Sequence, residues 1–296
     1  MLSRAMRRSL SIVGAGRVGR TLGRRLKRLG WRIGAVVTRS AATSRVAVRE
    51  IGAGKPYSRL DPEIFDSNVI LLTTPDGALS GVAGALAKFD ETKLRGKIVL
   101  HTSGALDRTA LAPLARHGAS TGSIHPMQTF TGRGAPKLEK VIFAVEGDRG
   151  ATIVARKIAR SLGGVPVTIN SKNKPAYHAA GALVAGHGLG LIEGATQVLL
   201  KLGFRRRDAM RALLPLMRQM LDNFERLGPH ESWTGPVSRE DFATVAKHTK
   251  ALRSYPSEFN DAYAALALLG SRVLSKNSAA SKQLKRALRK STGGKS

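Results

Sequence analysis

Residues 9–19 read SLSIVGAGRVG, a short apolar run placed directly against a GxGxxG turn, and helical spacing follows to about Leu29. A strand that feeds such a turn, with the turn opening a helix, is the context that gives the pattern physical meaning. Gly14 permits the tight turn. Gly16 lets backbone amides approach a pyrophosphate, and Gly19 lets the helix pack onto the strand. The helix N-terminus adds partial positive charge where phosphates would lie. Arg17 and Val18 belong to the same loop. The segment therefore predicts a dinucleotide site; the competing reading is a glycine-rich turn that binds nothing.

Strand-length apolar runs continue outward at 31–38 (WRIGAVVT), 68–73 (NVILLT) and 97–101 (KIVLH), with helical stretches near 78–88 and 107–117. Further strand candidates are 119–124, 140–146 and 165–169, with a helix at about 150–162. This alternation predicts a mostly parallel sheet covered on both faces, a Rossmann-type α/β domain. From Lys174 the texture changes. The segments 175–201, 207–227, 240–253 and 257–290 have helical spacing and no convincing strand. The expected organisation is a dinucleotide-binding domain over 1–171, an all-α domain over 172–290 and a disordered basic tail over 291–296.

The end of the second strand selects the cofactor. An NAD site usually offers an acid there to the ribose 2′-hydroxyl. This chain offers Thr38, Arg39 and Ser40. A guanidinium flanked by hydroxyls suits a 2′-phosphate that a carboxylate would repel, so NADP is expected. The next crossing of the cofactor is TTPD, where Thr73, Thr74 and Pro75 are expected contacts and Asp76 an N-cap of the following helix.

A second constellation lies further along. HTSGAL puts Ser103 at the carboxyl edge of one strand, and GSIHPMQTF puts His125 at the end of another. That edge is where open α/β sheets bind ligands. An imidazole titrating near neutrality beside a nicotinamide is a natural proton acceptor; the competing reading is a histidine that fixes a proline-containing turn. Lys174 and His178 are one helical turn apart, so both are candidates to face the same crevice. Gln128, Thr234, Arg239 and His248 are candidate substrate contacts, with Arg239 suited to a carboxylate. Asp241 is expected to cap the helix that carries His248, and His187 is read as structural.

GAGRVG, the TPD turn, HTSGAL, HPMQTF, KPAYHAAGAL and TGPVSREDFATVAKH occur in this order across nearly the whole chain. Together they resemble a bacterial family of Rossmann-like proteins with a C-terminal domain of unknown function 2520. That family is similar in fold to pyrroline-5-carboxylate reductase and the 6-phosphogluconate dehydrogenase group, which implies a helical C-terminal domain that often dimerises. The Ser103 and His125 segments are also similar to those of prephenate dehydrogenases. This similarity implies His125 as base and Ser103 as its hydrogen-bonding partner. Related dehydrogenases use a lysine near the domain junction as proton donor, which implies that role for Lys174; a boundary lysine in water is the alternative. The chain departs from the family at Gly186, usually asparagine, and at Glu240, usually glycine.

Composition narrows the function classes. The chain has 296 residues, 42% hydrophobic, and no cysteine, which excludes disulfides, a thiolate nucleophile and cysteine-ligated metals. No histidines pair at metal-ligand spacing, so no metal is expected. No secretory core and no uninterrupted apolar span point to a cytoplasmic protein without a membrane partner. The net charge of +29 gathers toward the two ends, since no acid precedes Glu50 or follows Asp261. Without interleaved aromatics it reads as a solvated surface, and no specific nucleic-acid partner is expected. The expected function is an NADP-dependent oxidoreductase on a small, carboxylated metabolite, with hydride transfer at the interdomain crevice, and the expected assembly is a homodimer built through the helical half. The alternative is a non-catalytic NADP-binding sensor or scaffold.

Overall fold

A computed structural model of the chain describes residues 8–89, 91–132, 134, 136–275, 277 and 280–291. The expected basic tail lies outside them except for Ser291. Eight strands form one sheet: β1 (Ser9–Val13), β2 (Arg32–Val37), β3 (Lys55–Tyr57), β4 (Val69–Leu72), β5 (Ile98–His101), β6 (Ser120–Pro126), β7 (Ile142–Gly147) and β8 (Val165–Thr168). Their order is β3-β2-β1-β4-β5-β6-β7-β8. All neighbours are parallel except β6 and β7. Strand β3 escaped the sequence pattern because it is three residues long, contains Pro56 and sits at the edge, where a missing amide donor is tolerated.

Helices cover both faces of the sheet: α1 (Arg17–Arg28), α2 (Ala41–Ile51), α3 (Asp76–Ala87), α4 (Glu91–Leu94), α5 (Ala112–Arg116) and α6 (Arg149–Ser161). Successive strand residues face opposite sides, and because both sides are covered over β1, β4 and β5 those strands are buried along their whole length. Leu10, Ile12, Val69, Leu71, Ile98 and Leu100 join one core with α1, α2 and α6. Val13, Ile70, Leu72 and Val99 join the other with α3 and α5.

After β8 the described chain is helical. It comprises α7 (Lys174–Ala182), a π-turn over Leu183–His187, α8 (Gly188–Lys201), α9 (Arg206–Glu231), α10 (Phe242–Leu252), α11 (Ser257–Leu274) and α12 (Ala280–Ser291). Two expected helices are thus divided, the first by the π-turn and the last between Leu274 and Ala280. Helix α9 breaks at Gly228, whose φ of 78° only glycine adopts freely, with Pro229 next.

The chain forms two compact units, Met1–His187 and Gly188–Ser296. The sequence-based limit at 171/172 marks the end of the strands. The first unit runs on through α7 because Lys174 is fully buried in it. Within the second unit, α8 packs on α9, and α10 to α12 pack on one another around Val245, Leu284 and Leu288.

Candidate functional site

The three glycines after β1 have separate jobs. Gly14 has φ 84°, its amide donates to the Val37 carbonyl at 2.9 Å, and its carbonyl accepts from the Thr73 hydroxyl at 2.7 Å. A Cβ there would stand 2.7 Å from the Thr74 amide nitrogen, and one at Gly19 would strike the Thr73 hydroxyl. Gly16 is different: a Cβ would meet only the Gly14 carbonyl, at 3.7 Å. Glycine at 14 and 19 therefore serves the protein's own packing, whereas at 16 it keeps an outer surface clear. The Thr74 hydroxyl is buried beside this turn without a hydrogen-bond partner among the described residues. A clear backbone approach and a buried polar atom awaiting a partner fit a bound dinucleotide. Pro75 precedes α3, Val18 packs on the core, and the exposed Arg17 reaches the Phe130 carbonyl at 3.5 Å.

At the end of β2, Ser40 caps α2 by accepting from the Thr43 amide at 3.2 Å. The Thr43 hydroxyl lies 2.6 Å from that of Thr38 and 2.9 Å from that of Ser40. Arg39 is exposed beside this knot of three hydroxyls. Thr43 was not singled out from the sequence, although its place three residues after a capping serine was a usable signal.

Strand register brings the second constellation together. Leu72 pairs with His101 and His101 with Ser123, so Ser103 and His125 each stand two residues beyond a matched pair. Their hydroxyl and ring do not bond to each other, which corrects the expected serine–histidine pairing. Ser103 Oγ donates to Asp76 Oδ2 at 2.8 Å and accepts from the amides of Ala105 and Leu106 at 3.2 and 2.9 Å. Asp76 is thereby drawn away from capping; α3 has no side-chain cap. The buried His101 accepts the Ser103 amide on Nδ1 at 3.2 Å and carries its proton on Nε2, 3.1 Å from the Asp107 carbonyl.

The partner of His125 is Tyr177, with Nδ1 3.0 Å from the phenol oxygen. Its ring also stands edge-on to His178, centroids 5.7 Å apart. Gly104 fits between them. A Cβ on it would approach His178 Cδ2 to 2.5 Å and His125 Nε2 to 2.8 Å. Burial, helped by the neighbouring His178 and Lys174, pushes His125 down to about 4, so it does not titrate near neutrality as expected. Burial pushes Tyr177 up to about 12. At neutral pH the pair is an uncharged imidazole beside a protonated phenol.

Lys174 is neither in water nor open to a substrate. It is fully buried, and its Nζ donates to the Ser103 carbonyl at 3.0 Å and to Ser123 Oγ at 2.8 Å. Burial lowers it to about 8 against the opposing pull of Glu146, Asp107 and Asp76. His178, one turn on, is exposed. Glu146 was missed from the sequence. An acid inside the buried run IFAVEG of β7 was the available signal.

Residues 2–126 match a Rossmann-like domain and residues 141–269 a domain of unknown function, DUF2520. The chain is a Rossmann-like protein with a DUF2520 domain. No curated protein matches it. A Bacteroides fragilis protein designated an NADP oxidoreductase aligns with TM-score 0.72 at 21% identity, covering 88% of this chain and 96% of its own. A Thermotoga maritima protein aligns at 0.66 and 23% identity, covering 96% and 99%. The reductive aminase of Aspergillus terreus, in complex with NADPH and ethyl-5-oxohexanoate, aligns at 0.59 and 18%, covering 97% and 95%. These likenesses establish a shared fold.

The DUF2520 part explains one departure from the family and localises the remaining candidates. Glu240, where the resemblance implies a glycine, has a φ of 57°, the left-handed conformation that glycine adopts freely. Its carboxylate accepts from the Asn277 side-chain amide at 2.8 Å. Gly186 and the exposed His187 lie in the π-turn. Thr234, Arg239 and His248 are exposed residues of the second unit, with His248 Nδ1 2.9 Å from the Tyr263 hydroxyl. Asp241 caps α10 by accepting from the Thr244 amide at 3.0 Å. Gln128, in the first unit, is exposed and spends its carbonyl oxygen on the Thr129 amide at 2.8 Å.

Proposed function

We propose that the protein is an NADP(H)-dependent oxidoreductase that reduces a C=O or C=N bond of a small, carboxylated metabolite. The observation that carries this reading is the pairing of His125 with Tyr177 at the sheet edge that also bears the Gly16 turn. The dinucleotide, when bound, supplies the hydride. Gly16 admits its pyrophosphate, and Arg39 with Thr38, Ser40 and Thr43 holds the 2′-phosphate.

The protein's part is the proton. With His125 near 4 and Tyr177 near 12, the pair holds a proton at neutral pH and contains no strong base. It is suited to protonating the oxygen or nitrogen that becomes electron-rich during reduction. Gly104 sets the distance between His125 and His178. The fold shared with a reductive aminase that binds NADPH supports the same direction.

We also propose that the protein works as a homodimer. In α9, Leu216, Met220, Phe224 and Leu227 recur at helical spacing and are 42–67% exposed. An apolar stripe of this kind marks an interaction surface, and a second copy of the chain is its occupant here. The run Ser171–Lys201 is also long and apolar enough to cross a membrane by length and composition. Flotation with vesicles and sedimentation of the same sample separate the two: a lipid-free dimer supports the proposal, and vesicle binding by a monomer contradicts it.

NADPH consumption against a panel of keto acids and cyclic imines tests the function. His125→Asn is expected to lower turnover ~10²–10⁴-fold while leaving cofactor affinity nearly unchanged. Wild-type turnover in this variant would make the histidine a turn residue. Cofactor binding without turnover on any substrate would favour a sensor.

A further inference from the structure

Lys174 lies at the centre of a buried hydrogen-bond network that joins five segments. Its ammonium holds the Ser103 carbonyl after β5 and the Ser123 hydroxyl on β6. Ser123 in turn donates to Glu146 Oε2 on β7 at 3.3 Å. The same carboxylate accepts from the Arg108 amide at 3.0 Å and, through Oε1, from the Ser171 hydroxyl at 2.9 Å. A buried ammonium is costly unless an opposite charge and hydrogen bonds satisfy it, and Glu146 with Ser123 meets that need. A proton donor must reach its substrate, yet two of the three ammonium hydrogens are committed inside the protein and no part of the side chain meets solvent.

The network ends at the proton-handling pair. The Ser103 carbonyl that Lys174 grips belongs to the peptide linking Ser103 to Gly104, and Gly104 abuts the rings of His125 and His178. Tyr177 and His178 follow Lys174 by three and four residues, so the lysine anchors the face of α7 that carries both. We propose that Lys174 is a positioning residue: braced by Ser123 and Glu146, it sets the Ser103–Gly104 peptide and the start of α7 so that Tyr177 and His178 meet His125. The proposal rests on the reading of His125 and Tyr177 as the proton-handling pair.

The charge has a consequence of known sign. His125 is faced from α7 by Tyr177, His178 and the Lys174 cation; Lys174 itself is faced by Glu146, Asp107, Asp76 and His101. Removing the cation makes His125 easier to protonate. In Lys174→Met, the His125 ring followed by NMR, its signal identified by its loss in His125→Asn, is expected to titrate at higher pH than in wild type. A second measurement uses the wild-type protein, so it stands even if that variant fails to fold. Native protein is treated with an amine-methylating reagent and Lys174 is scored by mass spectrometry. A positioning lysine stays unmodified until the protein is unfolded. An open donor lysine lowered to about 8 reacts ahead of the surface lysines. An unchanged His125 titration in folded Lys174→Met, or rapid native modification of Lys174, overturns the proposal. Neither readout needs turnover, so a protein that binds no NADP(H) defeats the functional reading alone.

Discussion

The two compact units bury their apolar residues to very different degrees. In the first, both faces of β1, β4 and β5 are covered, and Leu10, Ile12, Leu72, Val99 and Leu100 are fully buried. In the second, the buried apolar cluster among the described residues is Val245, Leu284 and Leu288, with Ala209 buried apart from it, while α9 leaves Leu216, Met220, Phe224 and Leu227 exposed. The sheet of the first unit is therefore covered by its own helices and encloses polar residues at one edge, although Leu183 and Val184 in its π-turn stay exposed. The second leaves a long helix with an apolar stripe uncovered, the feature on which the proposed dimer rests.

The contrast can be broken first with acid. His101 and His125 are both pushed down to about 4 from an ordinary 6.5, chiefly by burial. The unfolded chain binds protons that the folded unit refuses, so their contribution is full above about pH 6.5 and is lost as pH falls through about 4, at roughly 3 kcal/mol each. The described histidines at 230 and 248 in the second unit are exposed. Hydrogen exchange across this range should show the first unit loosening first. Earlier opening of the second unit would contradict the assignment.

Association is the next target. Leu216→Asp combined with Phe224→Asp places two charges in the α9 stripe and is expected to weaken the proposed dimer at least about a hundredfold. Sedimentation equilibrium over a concentration series reads this directly. A self-association constant unaffected by the change would place the interface elsewhere.

The two glycines of the turn sharpen the difference between packing and binding within the first unit. Gly14→Ala forces a Cβ against the Thr74 backbone at a φ of 84° and should cost about 1–3 kcal/mol of stability. Gly16→Ala meets almost nothing within the protein, so its melting temperature should hardly move while NADPH affinity falls. Equal stability losses in both would remove the argument for an open approach at Gly16.

In the second unit the expected effect is smaller. Glu240→Gly relieves a left-handed φ costing about 1–2 kcal/mol but gives up an Asn277 contact of about 0.5–1.5 kcal/mol, for a net gain of about 0.5 kcal/mol. A higher denaturant midpoint at constant slope would show it.

Much of this architecture was legible in the sequence, for identifiable reasons. Strands β1, β2, β4, β5 and β7 announced themselves as apolar runs, and the GAGRVG turn had its strand before it and its helix after it; β6 (STGSIHP) is largely polar and the edge strand β8 (VPVT) largely exposed, so their patterns were weaker. β3 gave no such signal, being a short edge strand with a proline. The site was half legible. Ser103 and His125 could be placed at neighbouring strand ends by spacing alone, and strand register bears that out. Which group bonds to which could not, because Tyr177 reaches His125 across 52 residues of chain. The acidity of His125 was misjudged for a related reason: a sequence reveals the imidazole but not the burial that keeps it neutral. Lys174 shows the same limit, since its residue type suggested a donor and its enclosure makes it an anchor.

The central claim is that the first unit holds NADP(H) at the Gly16 turn and reads its 2′-phosphate through Arg39. Fluorescence titration of NADPH and NADH into the full-length protein and into Arg39→Ala tests it most directly. A charge-assisted contact to phosphate is worth ~1.5–3 kcal/mol, so wild type should prefer NADPH by roughly ten- to a hundredfold, and the variant should lose most of that preference. Equal affinity for the two cofactors in wild type, or saturable binding of neither, would contradict the account.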